Sequence, residues 1–211
     1  MKSAPWPVVH CMLFASLLTV PSIVPPLRVW PLFWIVPFAL YATIVATAGP
    51  LRRTFSRPRF GNFSRSNCAV TAAIIAISVA GIFAFQHFAQ PDLHSYRAAM
   101  PFDSLGGRYG AWILFPLINA TLEELVYRGI LFDGIASQWN QRITILATGL
   151  LFGIGHLQGY PPGPAGAALA TAFGIAMGIL RVRSGSIVLP IVAHIFADAA
   201  IYALLVRENL V

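Results

Sequence analysis

Two adjacent carboxylates, Glu123 and Glu124, stand in a run that is otherwise nearly all apolar, from Gly110 to Phe132. In the middle of a bilayer an acid costs about 3 kcal/mol or more, so it marks a functional site and calls for a partner. Arg128 is that partner for Glu124, standing one helical turn on at the spacing that brings opposite charges together. Glu123 has no such cation. Asn119, four residues before it, sets an amide on the same helix face. Further along come His156, at the end of Leu150-LFGIGH, and then His194 and Asp198, four apart in Pro190-IVAHIFADAA. Acids, imidazoles and an amide are what water attack on a peptide bond needs: a base within hydrogen-bond reach and a donor aimed at the developing oxyanion.

Taken singly, each of these residues has a bland explanation. A buried Glu–Arg pair is usually a positioning device. His156 at a helix end reads as a satisfied interfacial histidine, and Asp198 accepts a bond from His194 or Asn119. His10, His87 and His94 stay at that reading. Two glutamates, two histidines and an aspartate within four spans exceed what packing requires.

The elements that must hold these residues are membrane helices. The chain has 211 residues, 57% hydrophobic and 10% charged, with a mean hydropathy of +0.73. That excludes a soluble globular domain and a disordered chain. The expected fold class is all-α, a polytopic transmembrane helical bundle of about seven spans. These run near Trp6–Val24, Val29–Ala48, Cys68–Ala89, Tyr109–Leu131, Ile143–His156, Ala165–Leu180 and Ile187–Leu205, each needing ~20 mostly apolar residues. Residues 1–108 are expected to be N-terminal scaffold helices, and 109–206 a catalytic core of four helices. The sixth span carries Gly166, Ala170, Gly174 and Gly178 as one small-residue stripe, and the fifth adds Gly149, Gly153 and Gly155, so both are built for close approach.

The net charge of +7 is concentrated rather than spread. Arg52, Arg53, Arg57, Arg59 and Arg65 crowd one loop, as cytoplasmic loops do. The partner of this basic loop, residues 52–65, is therefore anionic lipid headgroup and not nucleic acid. A cytoplasmic N-terminus also puts Arg142, Arg181 and Arg183 inside, with Asp92, His94, Asp103 and Arg108 opposite. The start reads as an uncleaved first helix, and the location as integral and multi-pass. Cys11 and Cys68 read as buried small apolar side chains. One conflict follows from these boundaries. Glu123 falls in the inner half of its span, whereas His156 ends a span that begins inside. They meet only if the Phe132–Gln141 connection dips into the membrane or the fifth span starts deeper.

Glu-Glu-x-x-x-Arg (Glu123, Glu124, Arg128, followed by Gly129), Phe-x-x-x-His (Phe152, His156) and His-x-x-x-Asp (His194, Asp198) occur in order on separate spans. In this the chain resembles the CAAX prenyl protease and bacteriocin-processing family of intramembrane proteases, over about its last hundred residues. The resemblance implies a glutamic endopeptidase: Glu123 as general base, His156 helping to activate water, His194 and Asp198 facing the oxyanion. Glu124, Arg128, Asn119 and Phe152 would support them. Many relatives carry Asn where this chain has Asp198. An ionised Asp repels an oxyanion, so either Asp198 carries a proton or it orients a histidine while His194 donates.

The implied cofactor set is empty. A zinc protease would draw on Glu123, His156 and His194, but His-Glu-x-x-His is missing. The other rival is a non-catalytic, bacteriocin-immunity-type membrane protein. The expected substrate is a membrane-embedded or C-terminal-tail peptide: a prenylated tail, a bacteriocin precursor or a sorting tail.

Overall fold

The computed structural model describes residues 6–55, 60–98, 105–157 and 159–207, so Arg57, Arg59 and Asp103 lie outside the described residues. Among the described residues the secondary structure is helical, with no strand. Helices α1 (Trp6–Leu17) and α2 (Leu32–Thr47) are followed by the long α3 (Arg65–Ala89). Helix α4 (Leu105–Glu124) continues without a break through a π-helical segment, Leu125–Ile130, into α5 (Leu131–Ala136). Then come α6 (Gln141–Gly155), α7 (Gly163–Ser184) and α8 (Val188–Arg207). Local sequence explains several ends. The Ser64 hydroxyl caps α3 by accepting from the Asn67 N–H, and the Asn140 amide oxygen caps α6 from the Ile143 N–H. Gly185 closes α7 in the left-handed region, at φ 68°.

Four helical stretches are long and apolar enough to cross a bilayer: Trp6–Ile23, Arg65–Ala89, Gly163–Ser184 and Val188–Val206. Leu32–Thr47 and Gln141–Gly155 are shorter apolar helices. Helix α4, which holds Arg108, Glu123 and Glu124, stands outside that group. The bundle is an integral membrane protein.

Contacts sort the helix ends into two layers. At one end the Arg183 guanidinium donates to the Ser66 hydroxyl at 3.0 Å, and Arg181 pairs with Asp133 at 3.5 Å. At the other end the Tyr160 hydroxyl donates to Gln86 and the Tyr96 hydroxyl to the Gly159 carbonyl, each at 2.8 Å. Arg65, Arg142, Arg181 and Arg183 therefore lie at one end, and the short helix His94–Ala98 lies at the opposite one.

The depth conflict resolves at the 137–140 turn. The glutamate helix runs on to Ala136 instead of stopping at Leu131, so the connection is itself helical. At 1.5 Å per residue, Glu123 lies about 20 Å back from Ala136 and His156 about 22 Å in from Gln141, which brings them level.

Helices α6 and α7 pack through their glycines. Gly149 and Gly174 face each other, and a Cβ at Gly153 would collide with the Thr171 side chain and stand 2.6 Å from the Ala167 carbonyl oxygen. Gly153→Ala is expected to destabilise the bundle by about 1–3 kcal/mol through overpacking. Thermal unfolding in detergent reads this, with Gly110→Ala, where a Cβ meets nothing within 4 Å, expected to leave the midpoint unchanged.

The cysteines differ from the expectation: Cys68 is exposed on α3, and Cys11 is only partly buried, packed against Gly134 of α5. His10 is the satisfied core histidine it was expected to be, bonded to the Tyr41 hydroxyl at 2.8 Å and to Thr54 at 3.2 Å. Helix α3, read as scaffold, instead forms one wall of a cavity described below.

Candidate active site

The fold brings together every residue singled out for chemistry, and it divides the two glutamates. Glu124 is fully buried; its Oε1 accepts from Arg128 Nη1 at 3.0 Å and from His194 Nδ1 at 2.8 Å. Arg128, also fully buried, donates through Nη2 to the Gly174 carbonyl at 2.9 Å. One ion pair thus ties α4, α7 and α8 at a single point. The π-helical segment that carries Arg128 is held from α7, where Arg181 Nε donates to the Arg128 carbonyl at 3.1 Å. Single π turns inside α-helices occur mostly at functional sites, because the inserted residue re-aims side chains on either side.

Glu123 faces the other way. Its Oε1 accepts from Asn119 Nδ2 at 3.1 Å, and the same amide donates its second hydrogen to Asp198 Oδ2, also at 3.1 Å. The other carboxylate oxygen, Oε2, is buried and has no hydrogen-bond partner. It lies 3.9 Å from His156 Nε2 and 3.8 Å from His194 Nε2. Asp198 Oδ1 stands 3.5 Å from the same nitrogen of His194.

The hydrogen bonds of the two rings fix their tautomers. His156 Nδ1 is 2.8 Å from the Phe152 carbonyl, which can only accept, so Nδ1 carries the hydrogen. In the neutral ring its Nε2 then offers a lone pair toward Glu123. His194 Nδ1 likewise must donate to Glu124, whose carboxylate is committed to Arg128. His194 can therefore donate from Nε2 only when both ring nitrogens carry hydrogen.

Phe152 is the packing hub. Its ring centroid lies 4.1 Å from that of His156 and 5.6 Å from that of His194, and the Arg128 guanidinium sits 4.8 Å above it. A cation over an aromatic face is attracted by the ring quadrupole, more strongly when desolvated.

The site opens on a cavity of about 310 Å³ between α3, α6, α7 and α8. His156, His194 and Asp198 are on its wall, and apolar side chains such as Ile77, Leu169 and Phe173 make up most of the rest. Glu123 lies behind the two imidazoles. Ile77 is 73% exposed and Leu169 45% exposed, so the cavity mouth lies on the lipid-facing side, between α3 and α7.

The separations bear on what can sit between Glu123 and the rings. Ligands of a tetrahedral zinc stand about 3.3 Å apart, given bonds of ~2.0–2.1 Å. The observed 3.8 and 3.9 Å lie between that value and the ~4.6 Å that separates two groups bonded to one water at ~2.8 Å each. Among the described residues, no group of three or more His, Cys, Asp or Glu is placed to hold a metal ion.

Sequence reasoning named Arg181 only as a charge marking a helix end, and its bond to the Arg128 carbonyl was not foreseen. The Gly174 carbonyl was also missed as a partner of Arg128, although the glycine stripe that exposes it is plain in the sequence.

Residues 105–200 match the family model described as Type II CAAX prenyl endopeptidase Rce1-like. No curated protein and no solved structure shows a significant match to the chain.

Proposed function

We propose, from the match of residues 105–200 to the Rce1-like type II CAAX prenyl endopeptidase family model, that this protein is a glutamic-type intramembrane endopeptidase. The family implies a protease that works within the membrane. The observation that carries the finer reading is the unbonded Oε2 of Glu123, toward which both histidine Nε2 atoms converge.

The reaction follows from these positions. A water between Glu123 and His156 gives one proton to the carboxylate while its oxygen bonds to the scissile carbonyl carbon. The carbonyl π electrons move to oxygen, and His194, doubly protonated, donates from Nε2 to that oxyanion. Glu123 then returns its proton to the leaving nitrogen as the C–N bond breaks, giving a carboxylic acid and an amine. Glu124 and Arg128 act through His194 and touch no substrate. Phe152 sets the distance between the rings. The core of this machinery is 109–206, with α3 closing the cavity from outside that segment.

The substrate fitting a lipid-facing, mostly apolar mouth is a membrane-associated peptide tail in extended form. The arginines at the helix ends support an N-terminus in the cytoplasm, and the reading extends to a bacterial inner membrane with the loop 52–65 against anionic headgroups. The test uses the purified protein in liposomes, offered a prenylated C-terminal tail, a bacteriocin-like precursor and a C-terminal sorting tail. Mass spectrometry is expected to show cleavage of one class at a defined bond. A folded protein that cleaves none of the three contradicts the proposal and favours an immunity-type membrane protein.

Asp198 yields a separate prediction. Its carboxylate accepts from Asn119 and lies near His194, and an amide can accept the same bond while offering hydrogens to an oxyanion. Asp198→Asn is expected to keep cleavage within about tenfold of the parent. A loss as large as that of a base substitution would show that the negative charge itself is needed.

A further inference from the structure

A second cavity, about 760 Å³, shares no lining residue with the cavity at the candidate active site. It lies at the arginine-rich end, between α1, α2, the π-helical segment and the turn at 185–187. Its size falls in the range of sites that enclose small molecules, about 300–1,000 Å³. The wall along α2 is apolar, through Phe38, Ala42 and Val45, and Ile187 faces it. Charge enters only at the rim, from Arg52, Arg181 and Asp133.

The polar groups at the back are already spent on one another, since His10 binds Tyr41 and Thr54. The rim is not balanced. Arg181 pairs with Asp133 at 3.5 Å, while the Arg52 guanidinium, at an exposed position, has no hydrogen bond or ion pair to a described residue. One net positive charge thus stands at the helix ends, above an apolar slot that runs into the bilayer along α2. A phosphodiester carries one negative charge, and a diacylglycerol continues from it into an apolar medium. A soluble phosphate would leave the slot unfilled, and a peptide substrate would gain nothing, as the cavity does not reach Glu123.

We propose that this cavity is a binding site for one anionic glycerophospholipid, its phosphate between Arg52 and Arg181 and an acyl chain along Phe38, Ala42 and Val45. The site is not isolated from the chemistry. Arg181 holds the Arg128 carbonyl, Arg128 holds Glu124, and Glu124 holds His194. A bound phosphate orders Arg181 and with it the π-helical segment.

Binding is read by native mass spectrometry of the full chain, released from bilayers of phosphatidylglycerol or phosphatidylcholine. The expected result is one phosphatidylglycerol retained per chain, and little phosphatidylcholine. Arg52→Gln, at an exposed position, should lower retention at least fivefold. Ala42→Trp should do the same by filling the slot, with a thermal midpoint measured alongside to show that it folds. Arg142→Gln removes a charge at the same end but outside the cavity, and should change retention less than twofold. Equal retention of the two lipids overturns the proposal, as does an Arg142→Gln loss matching that of Arg52→Gln. Displacement of the lipid by millimolar glycerol 3-phosphate would also overturn it, by showing that the headgroup alone is the ligand. Because the readout is lipid mass, these outcomes do not depend on whether the protein cleaves peptides.

Discussion

Glu123→Gln is expected to lower cleavage by about 10²–10⁴-fold, the contribution of a positioned general base, while leaving the fold intact. The substitution is nearly isosteric. Its amide oxygen can still accept from Asn119 Nδ2, which now stands 3.1 Å from Oε1. What it loses is the second oxygen, Oε2, which faces both imidazoles and has no hydrogen-bond partner. An amide there donates rather than accepts a proton, so the attacking water has nowhere to discharge one. The measurement is initial rate on the cleaved tail peptide, with the thermal midpoint as control. A variant that keeps a tenth or more of the parent rate would remove Glu123 from the role of base.

Arg128→Met is expected to be the most destabilising single change in the chain, at about 3–5 kcal/mol. Removing one partner of a buried pair leaves an uncompensated buried charge, and here both partners are fully enclosed. The loss spreads beyond Glu124, since Arg128 also satisfies the Gly174 carbonyl and lies over the Phe152 ring. Chemical unfolding in detergent measures it. The double variant Glu124→Gln with Arg128→Met should regain a large part of the stability without regaining activity, because an amide cannot hold His194 as a carboxylate does. If the double variant were no more stable than Arg128→Met, the cost would come from lost packing and not from a stranded charge.

The site was more legible in the sequence than the frame around it, for a physical reason. Ionisable residues are so costly in hydrocarbon that each must have a partner, and four-residue spacings on a helix give partners away. Glu124 with Arg128 and Asn119 with Glu123 are contacts within one helix, and the structure has both. The contact from Asn119 to Asp198 joins different helices, and the sequence offered it only as one of two partners for Asp198, beside His194. Helix ends were harder. Leu131 looked like the close of a span, yet the helix continues to Ala136, where Arg181 pairs with Asp133. The π-helical turn could not be read from Leu125-VYRGI, since what favours it is a bond from Arg181, fifty-three residues away. The role of α3 was hidden for a similar cause: Ile74, Ile77 and Ile82 look alike whether they face lipid, a neighbouring helix or a cavity.

The account turns on a water held by Glu123 and two histidines without a metal. The most direct test measures zinc content and cleavage rate on the same purified preparation, before and after treatment with a strong chelator. Full activity at well under one zinc per ten chains, unchanged by the chelator, is the predicted result. Activity that falls with the metal and returns in proportion to added zinc would contradict it.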